Sequence, residues 1–218
     1  MHASTFALGI AWYVIFLFST VFHEAAHALT AALGGDDTAT AQVTLDPLPH
    51  IRREPIGMVV IPWLVWLMSA AGGGGAMMMG WASTPFDPHW ASRHPRRAAW
   101  MALAGPLANL LLALLGGFAL RFLSVGVFNF HPSQTLLLLL EILFTLNVLL
   151  FVLNLMPVTP LDGATAITLL MPESVARSWQ ATMRNPMMSM VGLLVLWFFF
   201  PAVAGPILTM ARRLIVGG

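Results

Sequence analysis

Apolar residues run along this chain in long blocks separated by short polar stretches. The first block covers residues 5–34 and closes on Gly34-Gly35, as glycines beyond a last helical turn commonly do. It is long enough to cross a bilayer, for which about 20 residues suffice. Three further blocks read the same way: 98–122, 134–156 with Pro157 and Pro160 beyond its end, and 187–210 followed by Arg212-Arg213. A fifth block, 56–83, is apolar but interrupted by Pro62 and by four glycines at 72–75, a poor helix interior. It reads either as one full span or as a re-entrant pair of half-helices. Irregular backbone at membrane depth is tolerated only under cover of protein or water.

The polar stretches carry weaker signals. Thr38 to Leu45 alternates and contains β-branched residues, which predicts a strand. Asp46-Pro47 and Leu48-Pro49 then turn the chain toward a second short strand near Ile51. A small β-hairpin over 38–55 is therefore expected, with an ordinary interfacial loop as an equal alternative. Residues 84–97 form a proline-rich loop, 123–133 a short connection, 163–171 a short helical stretch, and 172–186 a polar connection. No internal repeat is apparent.

Composition narrows the class. The 218 residues are 58% hydrophobic and 9% charged, where a soluble domain carries about 25% charged residues. The chain is expected to be an all-α polytopic membrane protein in one domain over 1–218, with the lipid bilayer as its solvent. All ten basic residues are arginine and the net charge is +1, so nothing marks a nucleic-acid partner. There is no cysteine, which excludes disulfides and thiolate sites. The first block lacks both a preceding arginine and a small-residue cleavage pattern, so it is expected to be a retained helix rather than a signal peptide.

Charge also bears on the interrupted block. If 56–83 re-enters, Arg52, Arg53, Arg93, Arg96, Arg97, Arg177 and Arg184 share one side, opposite Arg121, Arg212 and Arg213. A full crossing splits the ten evenly. The positive-inside rule favours re-entry, with the larger group in the cytoplasm.

Candidate chemistry begins at His23-Glu24-Ala25-Ala26-His27. Positions i and i+4 lie on one helix face, so both imidazoles reach one metal ion, with Glu24 beside them as a base. Within lipid, ionisable groups need a partner, and a metal supplies one. A catalytic zinc takes three protein ligands. Asp162 is the best candidate for the third, although Asp162-Gly163 before a helical stretch reads equally well as an N-cap. His2, His50, His89, His94 and His131 fall in loops or at the terminus and are expected to be solvated. Asn109, Asn147 and Asn154 lie within spans, as does Glu141, for which no partner is evident. Each asparagine is either an interhelical hydrogen bond or a group that holds a substrate carbonyl or oxyanion.

Three motifs occur in order: HEAAH at 23–27, GPLAN at 105–109 and NLMPVTPLDG at 154–163. Together they resemble the site-2 protease family of intramembrane zinc metalloproteases, in a compact form without the PDZ or CBS domains of larger members. The resemblance implies a core of three helices carrying HExxH, GPxxN and LDG. It implies one Zn²⁺ per chain held by His23, His27 and Asp162, with Glu24 as general base and Asn154 in contact with substrate. Gly105, Pro106 and Asn109 would pack the core helices together. The implied activity is cleavage of transmembrane protein substrates, in a bacterial plasma membrane, with the active site nearer the cytoplasmic side. One departure is Ala164, where many members carry a second glycine. A silent membrane binder or chaperone that kept the fold, or a metal transporter, are the alternatives from other classes.

Overall fold

The computed structural model describes residues 3–72, 77–125 and 131–217. His2, the centre of the glycine run and the centre of the 123–133 connection lie outside them. Among the described residues, four helices are long and apolar enough to cross a membrane: Thr5–Leu33, Pro95–Ser124, Gln134–Asn154 and Pro186–Val216. The protein is a multi-pass helical membrane protein. In chain order its helices are α1 (Ala3–Leu33), α2 (Pro47–Arg53), α3 (Ile61–Ala71), α4 (Pro88–Arg93), α5 (Pro95–Ser124), α6 (Gln134–Asn154), α7 (Gly163–Ala166), α8 (Glu173–Met183) and α9 (Pro186–Ala211).

α5 packs against both α1 and α6. Its buried face carries Ala98, Ala102, Gly105, Asn109, Ala113, Gly116 and Leu120, three or four residues apart. Small side chains at that spacing let helix backbones approach closely where hydrophobic burial supplies little driving force. On its other side α1 packs Trp12, Phe16 and Val21 against Met58, Trp66 and Met78 of the interrupted segment and against Ile142, Leu146 and Leu150 of α6.

The interrupted segment enters as helix and returns as extended chain. α2 and the helix that follows it meet at 112°. A wider π turn over Ile56–Val60 leads into α3. The return run passes back along it: Met77 N lies 3.3 Å from Ser69 Oγ, Trp81 N donates to Gly57 O at 3.2 Å, and Ser83 Oγ donates to Glu54 at 2.7 Å. Gly57 and Gly80 permit this approach, since a Cβ on Gly80 would sit 2.2 Å from Gly57 O.

The expected β-hairpin over 38–55 is replaced by helix, and the described residues contain no strand. Two aspartates decide this. Asp36 accepts from Thr38 N at 2.9 Å and opens a 3-10 turn over Asp37–Gln42. Asp46 accepts from Leu48 N at 2.9 Å and caps α2, with Pro47 in the first turn, where its missing N–H costs nothing. Asp87-Pro88 starts α4 and Asn185-Pro186 starts α9 in the same way.

His50 is a second correction. It is 1% exposed within α2, with neither ring nitrogen hydrogen-bonded, and burial pushes its pKa below the ordinary imidazole value. His89 and His131 are exposed. Residues 173–183 form α8, where the sequence suggested only a connection.

The arginines fall at the two ends of the bundle. Arg97 donates to Gly34 O at the C-terminus of α1, joined there by Trp90 Nε1. Arg53 donates to Ser83 O at the same end. Arg121 reaches the carbonyls of Leu214 and Ile215 at the other end. There Arg212 pairs with Glu141, which supplies the partner missing from the sequence reading.

Candidate metal centre

His23 and His27 sit one turn apart on the buried face of α1, 6% and 7% exposed. Each imidazole has one nitrogen engaged from behind. His23 Nδ1 lies 2.6 Å from Asn109 Oδ1, and His27 Nδ1 lies 2.7 Å from Met101 O, both on α5. Acceptors at those positions require Nδ1–H, which leaves the lone pair of each ring on Nε2. The two Nε2 atoms face each other at 2.9 Å.

The GPLAN run explains how α5 comes this close. A Cβ on Gly105 would lie 2.4 Å from His27 Nε2 and 2.5 Å from His23 Nε2. Pro106 lies inside α5 and cannot donate to the Ala102 carbonyl one turn back. Met101 O, in the same turn, accepts from His27.

Asp162 arrives from 139 residues away, at the end of the loop that follows α6. Its Oδ2 is 3.0 Å from His23 Nε2 and 3.3 Å from His27 Nε2. Its side chain makes no capping bond to α7, so the N-cap alternative is not realised. Gly163 lets the loop close on itself, since a Cβ there would strike Met156 O at 2.3 Å.

The donor set suits zinc. A tetrahedral ion with ligands at about 2.0–2.1 Å holds neighbouring donors about 3.3–3.4 Å apart. The three atoms here are 2.9–3.3 Å apart, within a few tenths of an ångström. Two unprotonated ring nitrogens and a carboxylate oxygen turned toward one another repel unless a cation lies among them.

Glu24 is buried, with a carboxylate oxygen within 4.8 Å of a ring nitrogen on each histidine. Thr84 Oγ1 donates to Glu24 Oε2 at 2.7 Å and lies 3.1 Å from Glu24 O. Nothing in the sequence singled out Thr84, because the contact depends on the return run passing α1. Asn154, the last residue of α6, lines a cavity of about 300 Å³ together with His23, Glu24, Asp162 and the run Gly80–Ser83. A second cavity of about 250 Å³ lies behind the loop, where Pro160, Leu161 and Asp162 also contribute, with Thr165, Gln180 and Arg184. Asn147 does not join Asn154 at the cavity; it bonds Asn109 instead.

Known proteins match most of the chain. "Putative zinc metalloprotease YwhC" of Bacillus subtilis is 32% identical over 171 residues, covering 74% of this chain and 69% of the relative. "Putative zinc metalloprotease Rip2" of Mycobacterium tuberculosis is 30% identical over 207 residues, covering 94% of this chain and 71% of the relative. The protein of the same name from Mycolicibacterium smegmatis is 32% identical over 170 residues, covering 76% of this chain and 58% of the relative. No family model matches the chain, and no solved structure matches it.

Proposed function

Because this chain belongs to the site-2 protease family, we propose that it is a zinc metalloendopeptidase that cleaves peptide bonds within membrane-spanning segments of other proteins. One observation carries the reading. His23 Nε2, His27 Nε2 and Asp162 Oδ2 converge beside a buried carboxylate, at a cavity between apolar helices.

Those three atoms would hold the zinc. Bound there, it supplies Lewis acidity, which acidifies water and polarises a carbonyl. Glu24 acts as the base. The Thr84 hydroxyl occupies Oε2, so Oε1 is the oxygen left to take a proton from the attacking water. Glu24 then passes that proton to the amide nitrogen as the peptide bond breaks, leaving a carboxylate and an amine. The Asn154 side-chain amide, at the cavity wall, donates to the scissile carbonyl oxygen as charge develops on it.

Within a helix each backbone carbonyl accepts the N–H four residues on and is ringed by side chains, out of reach of an attacking water. A substrate segment must therefore unwind at the bond to be cut. The extended run Gly80–Ser83 lines that cavity and offers backbone groups to an unwound chain. Arg53 and Arg97 lie at the end of the bundle nearer the site, so the positive-inside rule turns that end to the cytoplasm of a bacterial cell. Water then enters from the cytoplasm.

The test is Glu24→Gln in liposomes that carry a labelled transmembrane peptide. The variant is expected to keep one zinc per chain while cleavage falls about 10²–10⁴-fold. Undiminished cleavage would remove Glu24 from the mechanism, and zinc-free wild-type protein with full activity would remove the metal.

A further inference from the structure

Asn147 has no exposed surface and lines neither cavity. Its Nδ2 lies 2.8 Å from the Leu143 carbonyl and 2.8 Å from Ser19 Oγ. Its Oδ1 accepts from Asn109 Nδ2 at 2.9 Å, and Asn109 Oδ1 faces His23 Nδ1 at 2.6 Å. The run of contacts passes from α6 through α5 to α1.

The two ends of an amide have nearly the same shape, so only its partners decide which way it faces. A backbone carbonyl can only accept. Leu143 O therefore demands the NH₂ end of Asn147. Asn147 must then show its oxygen to Asn109, Asn109 must answer with its NH₂ end, and its oxygen is left for His23. An oxygen at that position demands a proton on Nδ1. The neutral ring that results carries its lone pair on Nε2, the atom turned toward His27 and Asp162. Ser19 O, 3.4 Å from Asn109 Nδ2, is a second and longer-range anchor of the same sign. His27 needs no such relay, because its Nδ1 meets a backbone carbonyl directly.

We infer that Asn147 is a positioning residue that fixes the proton of His23, by passing the polarity of a carbonyl on α6 through two amides to the imidazole. This rests on the reading of His23 Nε2 as a metal ligand.

Two measurements on the purified full chain test it: zinc affinity by chelator competition, and nitrogen NMR of the metal-free protein labelled at histidine. Asn147→Leu leaves only the longer Ser19 O contact to orient the Asn109 amide, so that amide can turn its NH₂ end to His23. Zinc affinity should fall roughly 10–100-fold, the usual cost of losing an outer partner, and the His23 proton should move from Nδ1 to Nε2. Adding Asn109→Asp should restore both, because a carboxylate accepts from either oxygen and needs no orienting partner. Unchanged affinity in Asn147→Leu, or a loss that Asn109→Asp does not repair, overturns the relay. Asn147→Asp decides the matter if the leucine variant does not fold. Protonated in its buried setting, it still donates to Leu143 O and accepts from Asn109, so its zinc affinity should fall by less than the 10–100-fold range. A loss within that range counts against the relay. Wild-type protein that bound no zinc would refute the metal reading, while the nitrogen spectrum would still report where the His23 proton sits.

Discussion

α5 and α9 are both long apolar helices, yet they meet their neighbours in opposite ways. α5 buries a full stripe of small residues with Asn109 in its middle. α9 buries only Gly192 and Ala204 among its described residues, and Trp197, Phe198 and Leu194 stand 79%, 73% and 60% exposed. Where lipid replaces water, an apolar face gains little by leaving solvent, so close approach must come from small side chains and hydrogen bonds. Sequence uses those devices where atoms from three helices and a loop have to converge, and omits them where a helix needs only to fill space. α9 breaks its own pattern once. A Cβ on Gly192 would sit 2.0 Å from Thr159 O, in the loop that delivers Asp162.

The contrast can be broken most severely at Gly105. Gly105→Ala puts a methyl group into the space where the two Nε2 atoms meet. Zinc affinity should drop by about 100-fold or more, and chelator should no longer lower the variant's unfolding temperature as it does for wild type. Thr84→Val comes next. It removes a hydrogen bond to a charged carboxylate, worth about 1.5–3 kcal/mol, so kcat should fall about 10–100-fold. Metal content should stay at the wild-type level, which separates this loss from that of Gly105→Ala.

On the α9 side, Gly192→Val should cost about 1–3 kcal/mol of stability through overpacking against the loop. It should lower kcat more than any other substitution on the described face of that helix, an outcome that steady-state kinetics across α9 would read. Arg212→Ala, which removes the pair with Glu141, should change stability by about 1 kcal/mol or less. A denaturation series in one detergent would detect a larger effect and so blur the contrast.

The four spans and the ligand candidates were legible because lipid writes them plainly: long apolar blocks, with two histidines and a glutamate that such a block does not otherwise carry. The short helices were legible in principle and misread. Asp46-Pro47, Asp87-Pro88 and Asn185-Pro186 each combine a capping side chain with a proline suited to a first turn, yet the first two pass for turns when flanked by Thr, Val and Pro. The choice between ligand and cap at Asp162 could not be made from spacing, since it depends on where a loop 139 residues away returns. Thr84, and the pairing of Glu141 with Arg212 across 71 residues, left no local signal at all. Asn147 and Asn154 share a helix face by spacing; their different fates depend on α5 ending the cavity between them.

The loop segment Pro160–Asp162 borders open space on both of its faces. It is therefore a septum, with a front chamber that reaches Glu24 and Asn154 and a rear chamber that reaches Gln180 and Arg184. A small molecule lodged in the rear chamber would touch Asp162 without entering the front chamber.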